Sequence, residues 1–227
     1  PYWLNEVPSV VENTNMTTAI LLPLKQGKKE EIIEGLNKIE SETILFLAKI
    51  SSLSVEIKRN KSEMILMRDN ARLPIVELLV QKDGSEALNE YWLHSCDISV
   101  PESLYEEKRA GVKLRALTVA FPLTESSAKG TMYAFLPTEI NSGFPFLINA
   151  DFILTANRET IQSNRKWNLW LRDEFANLIA CGLIELSKCK EYRGKLYSFI
   201  PLISDINVLK EYFSPVCSTV YSRLKEL

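Results

Sequence analysis

The sequence predicts an α+β fold, in which a largely antiparallel or mixed sheet packs against helices and the C-terminal part is helical. Two observations indicate this fold. Segments with alternating apolar and polar residues occupy much of the first two thirds of the chain, and an apolar stripe with helical spacing follows over 167–188. Because strand and helix segments do not alternate regularly, a doubly wound sheet is disfavoured.

The N-terminal part predicts one strand and two helices. Residues 17–24 are apolar and partly β-branched between turn-forming residues, which is typical of a buried strand. Apolar residues recur at helical spacing over 30–39 and predict an amphipathic helix. Ser41 is a residue type that favours the N-cap position, so a second helix is predicted from there to residue 50.

The middle of the chain predicts a meander of antiparallel strands. Leu53, Val55 and Ile57 alternate with polar residues, and the apolar runs 64–67 and 75–80 follow after polar turns. The further strand candidates are 91–95, 114–121, 132–136 and 152–154, and two helical candidates lie among them at 84–90 and 101–110.

The C-terminal part predicts three helices. The apolar stripe predicts the first of them over 167–188. Two more are predicted over 203–213 and 216–224, with a break at Pro215, because proline lacks the backbone N–H that a helix interior uses.

The composition sets limits on partners. Lys and Arg number 27 against 29 Asp and Glu, so the formal net charge of −2 provides no bulk attraction to nucleic acid or anionic lipid. The apolar runs are too short to cross a bilayer. We therefore predict neither a nucleic-acid partner nor a membrane partner.

The cysteines indicate the compartment of the protein, and the first residues indicate whether the chain is complete. Four widely spaced cysteines disfavour a disulfide framework and favour a reducing compartment, so an intracellular location, cytoplasmic or nuclear, is predicted. The chain begins at Pro1 without an initiator Met, and its opening lacks the features of a secretion signal. We expect it to be a piece of a longer protein.

Several kinds of site are excluded by the sequence. The single histidine, His94, excludes a two-histidine metal site, and His94 with Cys96 supplies at most half of a zinc site. A half-buried strand residue is the favoured interpretation of His94. The chain has neither a Walker-type glycine loop nor a dinucleotide-binding fingerprint nor a nucleophile elbow. The basic clusters at 58–61 and 109–115 lie beside acidic residues and are interpreted as solvated faces.

One segment has features of a phosphate contact. Residues 151–160 predict a strand that ends in a polar turn, with Arg158 at a point where a helix could begin. A guanidinium is always charged and can stabilise the charge that develops in phosphoryl transfer. The alternative is an ion pair between Arg158 and a glutamate, which the residues taken alone favour.

Three motifs occur in an order and spacing that resemble the sacsin and NO VEIN family of ATPases. They are Tyr133-Ala-Phe-Leu-Pro137, the run 146–159 that ends in Asn-Arg-Glu, and Trp167-Asn-Leu-Trp-Leu171. In that family a Phe-Leu-Pro motif precedes a strand ending in Arg and then a tryptophan-led helix. The Ala-Phe-Pro-Leu run that ends at Leu123 also resembles the plant members, and the resemblance covers roughly 17–188.

The resemblance implies a division of the chain. Residues 1–27 correspond to a linker or to the end of the nucleotide-binding fold shared by gyrase, heat-shock chaperone, histidine kinase and mismatch-repair ATPases. Residues 28–165 correspond to an α+β region similar to the middle domain of the chaperone ATPases, and 166–227 to a helical region packed on it.

The resemblance also implies a role. Arg158, between its matching neighbours Asn157 and Glu159, corresponds to an arginine that reaches the γ-phosphate of ATP. ATP and Mg²⁺ would then be held by the N-terminal nucleotide-binding domain of the same parent protein, with no cofactor in this chain. This region would couple the state of ATP to conformation, as in chaperones that act on protein clients.

The alternative is a non-catalytic protein–protein interaction module, in which exposed aromatic residues dock another domain or a client. The candidates are Trp3, Trp92 and Trp170. Core packing is the competing interpretation of all three tryptophans, and it is preferred for Trp170.

Overall fold

The chain folds into the predicted α+β structure, with an eight-stranded, mostly antiparallel sheet and helices at the C-terminal end. The computed structural model describes residues 20, 22–57, 61–125, 130–157, 159–206 and 209–225. The chain divides into two compact units, Pro1–Ile39 and Glu40–Leu227. The division into three regions with boundaries after 27 and 165 stays a prediction.

The described part of the first unit contains the helix α1, Lys29–Asn37. This confirms the predicted amphipathic helix, although none of its residues is buried. The strand predicted over 17–24 lies largely outside the described residues. The prediction is wrong for residues 20 and 22–24, which are exposed and in no strand. An apolar run forms a strand only where another strand accepts its hydrogen bonds.

The second unit contains the strands β1 (Ser52–Ile57), β2 (Ser62–Arg72), β3 (Ile75–Lys82), β4 (Ser85–Ser99), β5 (Leu114–Pro122), β6 (Thr131–Ala134), β7 (Leu136–Asn141) and β8 (Leu147–Asn149). They form one sheet in the order β1-β2-β3-β4-β5-β8-β6-β7. All neighbouring strands are antiparallel except β6 and β8, which are parallel. The predicted meander is therefore confirmed as β1 to β3, and the strand candidates 91–95 and 114–121 are confirmed within β4 and β5.

The predicted helix at 84–90 is wrong, because these residues form the start of β4. Asp83 and Gly84 both have positive φ angles, of 50° and 84°, and connect the paired residues Lys82 and Ser85. An Asp-Gly pair with positive φ makes the two-residue turn of a tight hairpin. Pairing with β3 then outweighs the helical preference of Ala87 and Leu88.

Three other predicted elements are wrong or reduced. The candidate helix at 101–110 is only a short 3-10 turn at Glu107–Arg109. The candidate strand at 152–154 is reduced to one bridge between Leu154 and Ile161. The candidate strand at 132–136 is interrupted at Phe135, where a φ of 64° turns the chain from β6 into β7.

One face of the sheet is covered by helices. The helix α2 (Lys166–Lys188) confirms the predicted stripe and packs along β4 and β5. Gly182 allows this close approach, since a Cβ atom at that position would lie 3.0 Å from Cε2 of Phe121 and 3.2 Å from Cβ of His94. The residues that α2 buries in the core include Trp167, Leu171, Phe175, Leu178, Ile179, Leu183 and Leu186.

The helix α3 (Lys210–Lys225) runs through Pro215, so the predicted break there is wrong. The preceding part of the predicted helix is a 3-10 turn at Ile203–Asp205. A proline inside a helix costs about 3 kcal/mol. Phe213, Val216 and Val220 are almost fully buried in the core, and each such side chain contributes about 1.5–3 kcal/mol, so core packing offsets the cost.

The other face of the sheet is partly covered by residues 40–50, where the predicted helix is wrong. Only Ser41–Ile44 form a 3-10 turn, although Ile44 and Leu45 are buried. The Arg68 guanidinium of β2 explains why the helix ends. Its Nη1 donates to the carbonyls of Ile44, Leu45 and Leu47 at 2.8, 3.1 and 2.6 Å. The Ile44 carbonyl also accepts from Leu47 N at 3.3 Å, which is a 3-10 bond. A side chain thus binds carbonyls that would accept from backbone N–H groups if an α-helix continued here.

A buried carboxylate fixes this segment to the sheet. Glu42 is 4% exposed and accepts hydrogen bonds from the hydroxyls of Ser41, at 2.8 Å, and Tyr91. The Asn89 amide of β4 in turn donates to Ser41 Oγ at 3.1 Å. Burial and the Glu42 charge raise the pKa of Tyr133 on the same face. A buried carboxylate needs such donors, so they hold the 40–50 segment in place.

The four cysteines are free thiols. None of the helices in the described part of the chain is long and apolar enough to cross a membrane.

We expect Gly182→Ala to destabilise the second unit by about 1–3 kcal/mol, because the new methyl group overpacks the contact between α2 and the sheet. Urea unfolding followed by circular dichroism measures the change. Gly194→Ala is the matched control, since nothing lies within 4 Å of its built Cβ, and should change stability by less than about 0.5 kcal/mol. Equal effects of the two substitutions would contradict the close approach.

Candidate functional site

The candidate site is the 151–162 loop, which connects β8 to α2. Its two sides pair with each other. Thr155 N donates to the Thr160 carbonyl at 2.9 Å, and Gln162 N donates to the Ile153 carbonyl at 3.0 Å. The two sides of the loop, 153–155 and 160–162, are therefore hydrogen-bonded to each other.

Arg158, the candidate phosphate contact, lies outside the described residues. Its neighbours in the chain, Asn157 and Glu159, are hydrogen-bonded to each other. The Asn157 side chain accepts a hydrogen bond from the Thr155 hydroxyl at 2.8 Å and donates to the Glu159 carboxylate. No helix begins at this point, because α2 starts at Lys166. The Glu159 carboxylate is thus engaged by an amide of the loop itself.

Asp151 anchors the first side of the loop through two arginines. Arg109 donates from Nε to Oδ2 at 2.7 Å and from Nη2 to Oδ1 at 2.6 Å, and Arg115 donates from Nε to Oδ2 at 2.8 Å. Trp167 Nε1 donates to the Asp151 carbonyl at 2.9 Å. These four residues are called the Asp151 cluster below.

Two arginines of the basic run 109–115 belong to the Asp151 cluster and do not form the solvated face that the sequence predicted. The side chains of Arg109, Asp151 and Arg115 are only 14%, 16% and 27% exposed, so the prediction of a solvated basic face is wrong. The two guanidinium groups also lie over the Trp167 ring, at 5.1 and 5.9 Å from its centroid. Two cations and one carboxylate leave a formal charge of +1 at the base of the loop.

Asn168 anchors both sides of the loop and was not identified from the sequence. Its side chain is buried; Oδ1 accepts from Ile153 N at 2.9 Å, and Nδ2 donates to the carbonyls of Ile153 and Gln162 at 2.9 and 3.0 Å. These bonds use both amide hydrogens. The Tyr212 hydroxyl of α3 donates to the Asn168 carbonyl, and burial raises the pKa of Tyr212. The loop is therefore joined to both long helices.

His94 and Cys96 lie on β4 and are half-buried, which confirms the favoured interpretation of His94. Burial lowers the pKa of His94, and the Glu185 carboxylate opposes this shift. Burial raises the pKa of Cys96, which disfavours the thiolate. Within the residues that the structure describes, no three or more His, Cys, Asp and Glu side chains are grouped to hold a metal ion.

Two of the candidate docking tryptophans belong to the core. Trp92 and Trp170 are partly buried and pack against the core cluster, and Trp170 makes an edge contact with Trp167 at 5.2 Å between ring centroids. The preferred interpretation of Trp170 is therefore confirmed. Trp3 lies outside the described residues.

We expect Asp151→Asn to destabilise the second unit by about 3–5 kcal/mol, because the substitution leaves two largely buried guanidinium groups without their carboxylate. Urea unfolding measures the loss. Asp173→Asn is the matched control, since its side chain is 62% exposed in its pair with Arg172, and should cost less than about 1 kcal/mol. A similar small loss at Asp151 would show that the cluster does not hold the loop.

We expect stability to fall between pH 7.5 and 5.5 more in the wild type than in His94→Gln. The pKa of His94 is lower in the folded chain than the ordinary value of 6.5, so folding favours the neutral ring. This stability is present above that value and is lost as the pH falls through it. His94 is the chain's single histidine, so urea unfolding at the two pH values isolates its effect. Parallel losses in both proteins would contradict the prediction.

Comparison with known proteins supports a NO VEIN-like relationship for part of this chain. It is 31% identical over 98 residues to "Protein NO VEIN" of Arabidopsis thaliana, a match that covers 41% of this chain and 4% of that protein. The chain thus matches a small fraction of its relative's length. No protein-family model matches the chain, and no solved structure matches it. The chain is therefore similar to NO VEIN over this part of its length.

Proposed function

We propose that this chain is the segment that follows the nucleotide-binding fold in a NO VEIN-like ATPase, and that its 151–162 loop presents Arg158 to the phosphates of ATP. The observation that carries the proposal is the anchoring of the loop on both sides by the Asp151 cluster and Asn168. The similarity to NO VEIN supports the choice of parent protein.

Two features of the described part of the loop support a phosphate contact at Arg158. A residue that stabilises charge in a transition state acts best when its backbone is held in place beforehand. The loop pairs across its own base, and its first side is bound to β5 and α2 through Arg115 and Trp167. The formal charge of +1 in the Asp151 cluster also favours an approaching polyanion.

ATP and Mg²⁺ are assigned in this proposal to the neighbouring N-terminal domain of the parent protein. The sequence lacks a glycine-rich phosphate loop, and the described carboxylates are not grouped to hold a divalent ion. Nucleotide bound next to the loop would supply the phosphoryl group to be transferred, and Arg158 would stabilise its negative charge.

The same contacts link the position of the loop to the position of α2, so ATP bound at the loop can change the conformation of this segment. Asn168 lies in the first turn of α2, so a displacement of the loop by ATP acts on that helix directly. α2 is packed against β4, β5 and α3. Loop position and helix position are therefore linked by hydrogen bonds and core packing, which is how a transducer-like segment converts ligand state into shape.

A second candidate function is a protein–protein interaction module without catalysis. The observation that favours it is Phe135, which is 51% exposed with a φ of 64° between β6 and β7, next to Leu136 at 47% exposure. An aromatic residue in this conformation is uncommon, and strained positions are enriched at sites of function. The experiment on Arg158 separates the two functions.

We expect Arg158→Ala in the longer parent protein to lower the steady-state rate of ATP hydrolysis by about tenfold or more, which corresponds to about 1.4 kcal/mol of transition-state stabilisation. Both proteins must first be shown to bind nucleotide and to unfold at the same temperature. Arg165→Ala is the matched control, because Arg165 is half-exposed and pairs with Glu106 at 3.3 Å. Unchanged turnover in a folded, active Arg158→Ala protein would overturn the proposal and favour the interaction module.

A further inference from the structure

A groove lies on the face of the sheet opposite α2, between residues 45–48 and the strands β2 to β5. Its volume is about 270 Å³. This is slightly below the roughly 300 Å³ at which pockets for complete small ligands begin. Arg68 of β2 lines the groove and is the single charged side chain among the residues that form it. It is called the Arg68 groove below.

The charge of Arg68 has no carboxylate partner in the described part of the chain. Its Nη1 is used by three backbone carbonyls, and its Nε is buried without a hydrogen-bond acceptor. Burial lowers the pKa of Arg68, without any opposing carboxylate. Arg72, four residues further along β2, instead pairs with Glu77 at 2.5 Å and Glu90 at 3.1 Å. On the same strand, Arg72 is therefore paired with two carboxylates, whereas Arg68 is paired with none in the described part of the chain.

An uncompensated, partly buried cation is costly, and three neutral carbonyls neutralise none of its charge. A ligand that brings one negative charge would complete the site. The groove's single positive charge is balanced by one carboxylate, whereas a doubly charged phosphate would leave one negative charge unbalanced. Charge balance therefore favours a monoanion.

The far end of the groove offers hydrogen bonds instead of charge. The hydroxyls of Ser95 on β4 and Thr118 on β5 lie 2.9 Å apart, and either one can donate to the other. In both arrangements one hydroxyl hydrogen is left over for a further acceptor. A ligand carbonyl at this end would therefore find a donor.

The middle of the groove is apolar. Leu93, which is partly exposed, and Leu73, which is 66% exposed, line it together with Val76, which is 1% exposed. Strands lie about 4.8 Å apart, so three spacings from β2 to β5 span roughly 14 Å. An extended segment can place several side chains over this distance.

We propose that the Arg68 groove binds an extended segment of a partner protein, with a Glu or Asp side chain on Arg68 and an apolar side chain against Leu73 and Leu93. The charge of Arg68, the apolar middle and the hydroxyl pair match the three chemical parts of such a segment. This inference is independent of the role proposed for Arg158.

The test uses the 227-residue chain and two pools of fluorescein-labelled heptapeptides with blocked ends. One pool has a central Glu and the other a central Gln, each flanked by Leu, Val, Ile or Phe at varied positions. Fluorescence anisotropy measures binding. We expect the tightest Glu peptide to bind at least about tenfold more weakly when Glu is replaced by Gln or when the protein carries Arg68→Met. Arg72→Met is the matched control and should leave binding unchanged.

A second variant separates loss of the ligand contact from loss of structure, because Arg68→Met also removes the hydrogen bonds to residues 44–47. Leu73→Glu keeps those bonds and places a negative charge at the groove. It should weaken the same peptide about tenfold or more, with an unchanged unfolding temperature.

Four results would overturn the proposal. The first two are equal binding of the Glu and Gln peptides, and absence of binding by every peptide at millimolar concentration. The third is that free glutarate or isovalerate binds as tightly as the best peptide, and the fourth is that the matching phosphoserine peptide binds more tightly than the Glu peptide. The third result would assign the groove to a small carboxylate, and the fourth would assign it to a phosphate group.

Discussion

Asp151 joins parts of the second unit that are far apart in the chain. Its carboxylate binds arginines that lie 36 and 42 residues earlier, and its carbonyl binds an indole that lies 16 residues later. The end of β8, the start of β5, the 3-10 turn at Glu107–Arg109 and the first turn of α2 therefore meet at one residue. Because Trp167 lies in the first turn of α2, this contact joins the start of that helix to the end of β8. Gly182 then allows the helix to lie close to the sheet along its length.

The two faces of the sheet are covered by different physical means. The face toward α2 and α3 is covered by apolar and aromatic side chains in one continuous core. The opposite face is covered by residues 40–50, and polar groups decide their conformation: Glu42 is held by hydroxyl donors, and Arg68 occupies the carbonyls at which a helix would have continued. Since this segment is short and irregular, it leaves part of the sheet open, and the Arg68 groove is the result.

The 151–162 loop and the Arg68 groove are connected through β8. Asn149, the last residue of that strand, lines the groove, and its side-chain oxygen accepts a hydrogen bond from Phe135 N at 2.9 Å. Two residues later the chain reaches Asp151. The sequence similarity to NO VEIN extends over 98 residues and does not show which residues are in contact. The proposed roles rest on contacts between residues that are remote in sequence, and these contacts connect the loop to the helices.

The fold class, the strands of the meander, α1 and the stripe of α2 are predictable from the sequence, because each follows from a periodicity within about twenty residues or fewer. The family resemblance added the nomination of Arg158. Local patterns did not predict that 41–50 is not a helix, that α3 continues through Pro215, or that Arg109 and Arg115 are partly buried on Asp151. Nor could Asn168 be identified from its own neighbours, since its side-chain hydrogen bonds go to residues up to 15 positions away and its carbonyl binds Tyr212, 44 positions away. In each of these cases a long-range contact outweighs a local preference, and local patterns carry no information about which distant residues will meet.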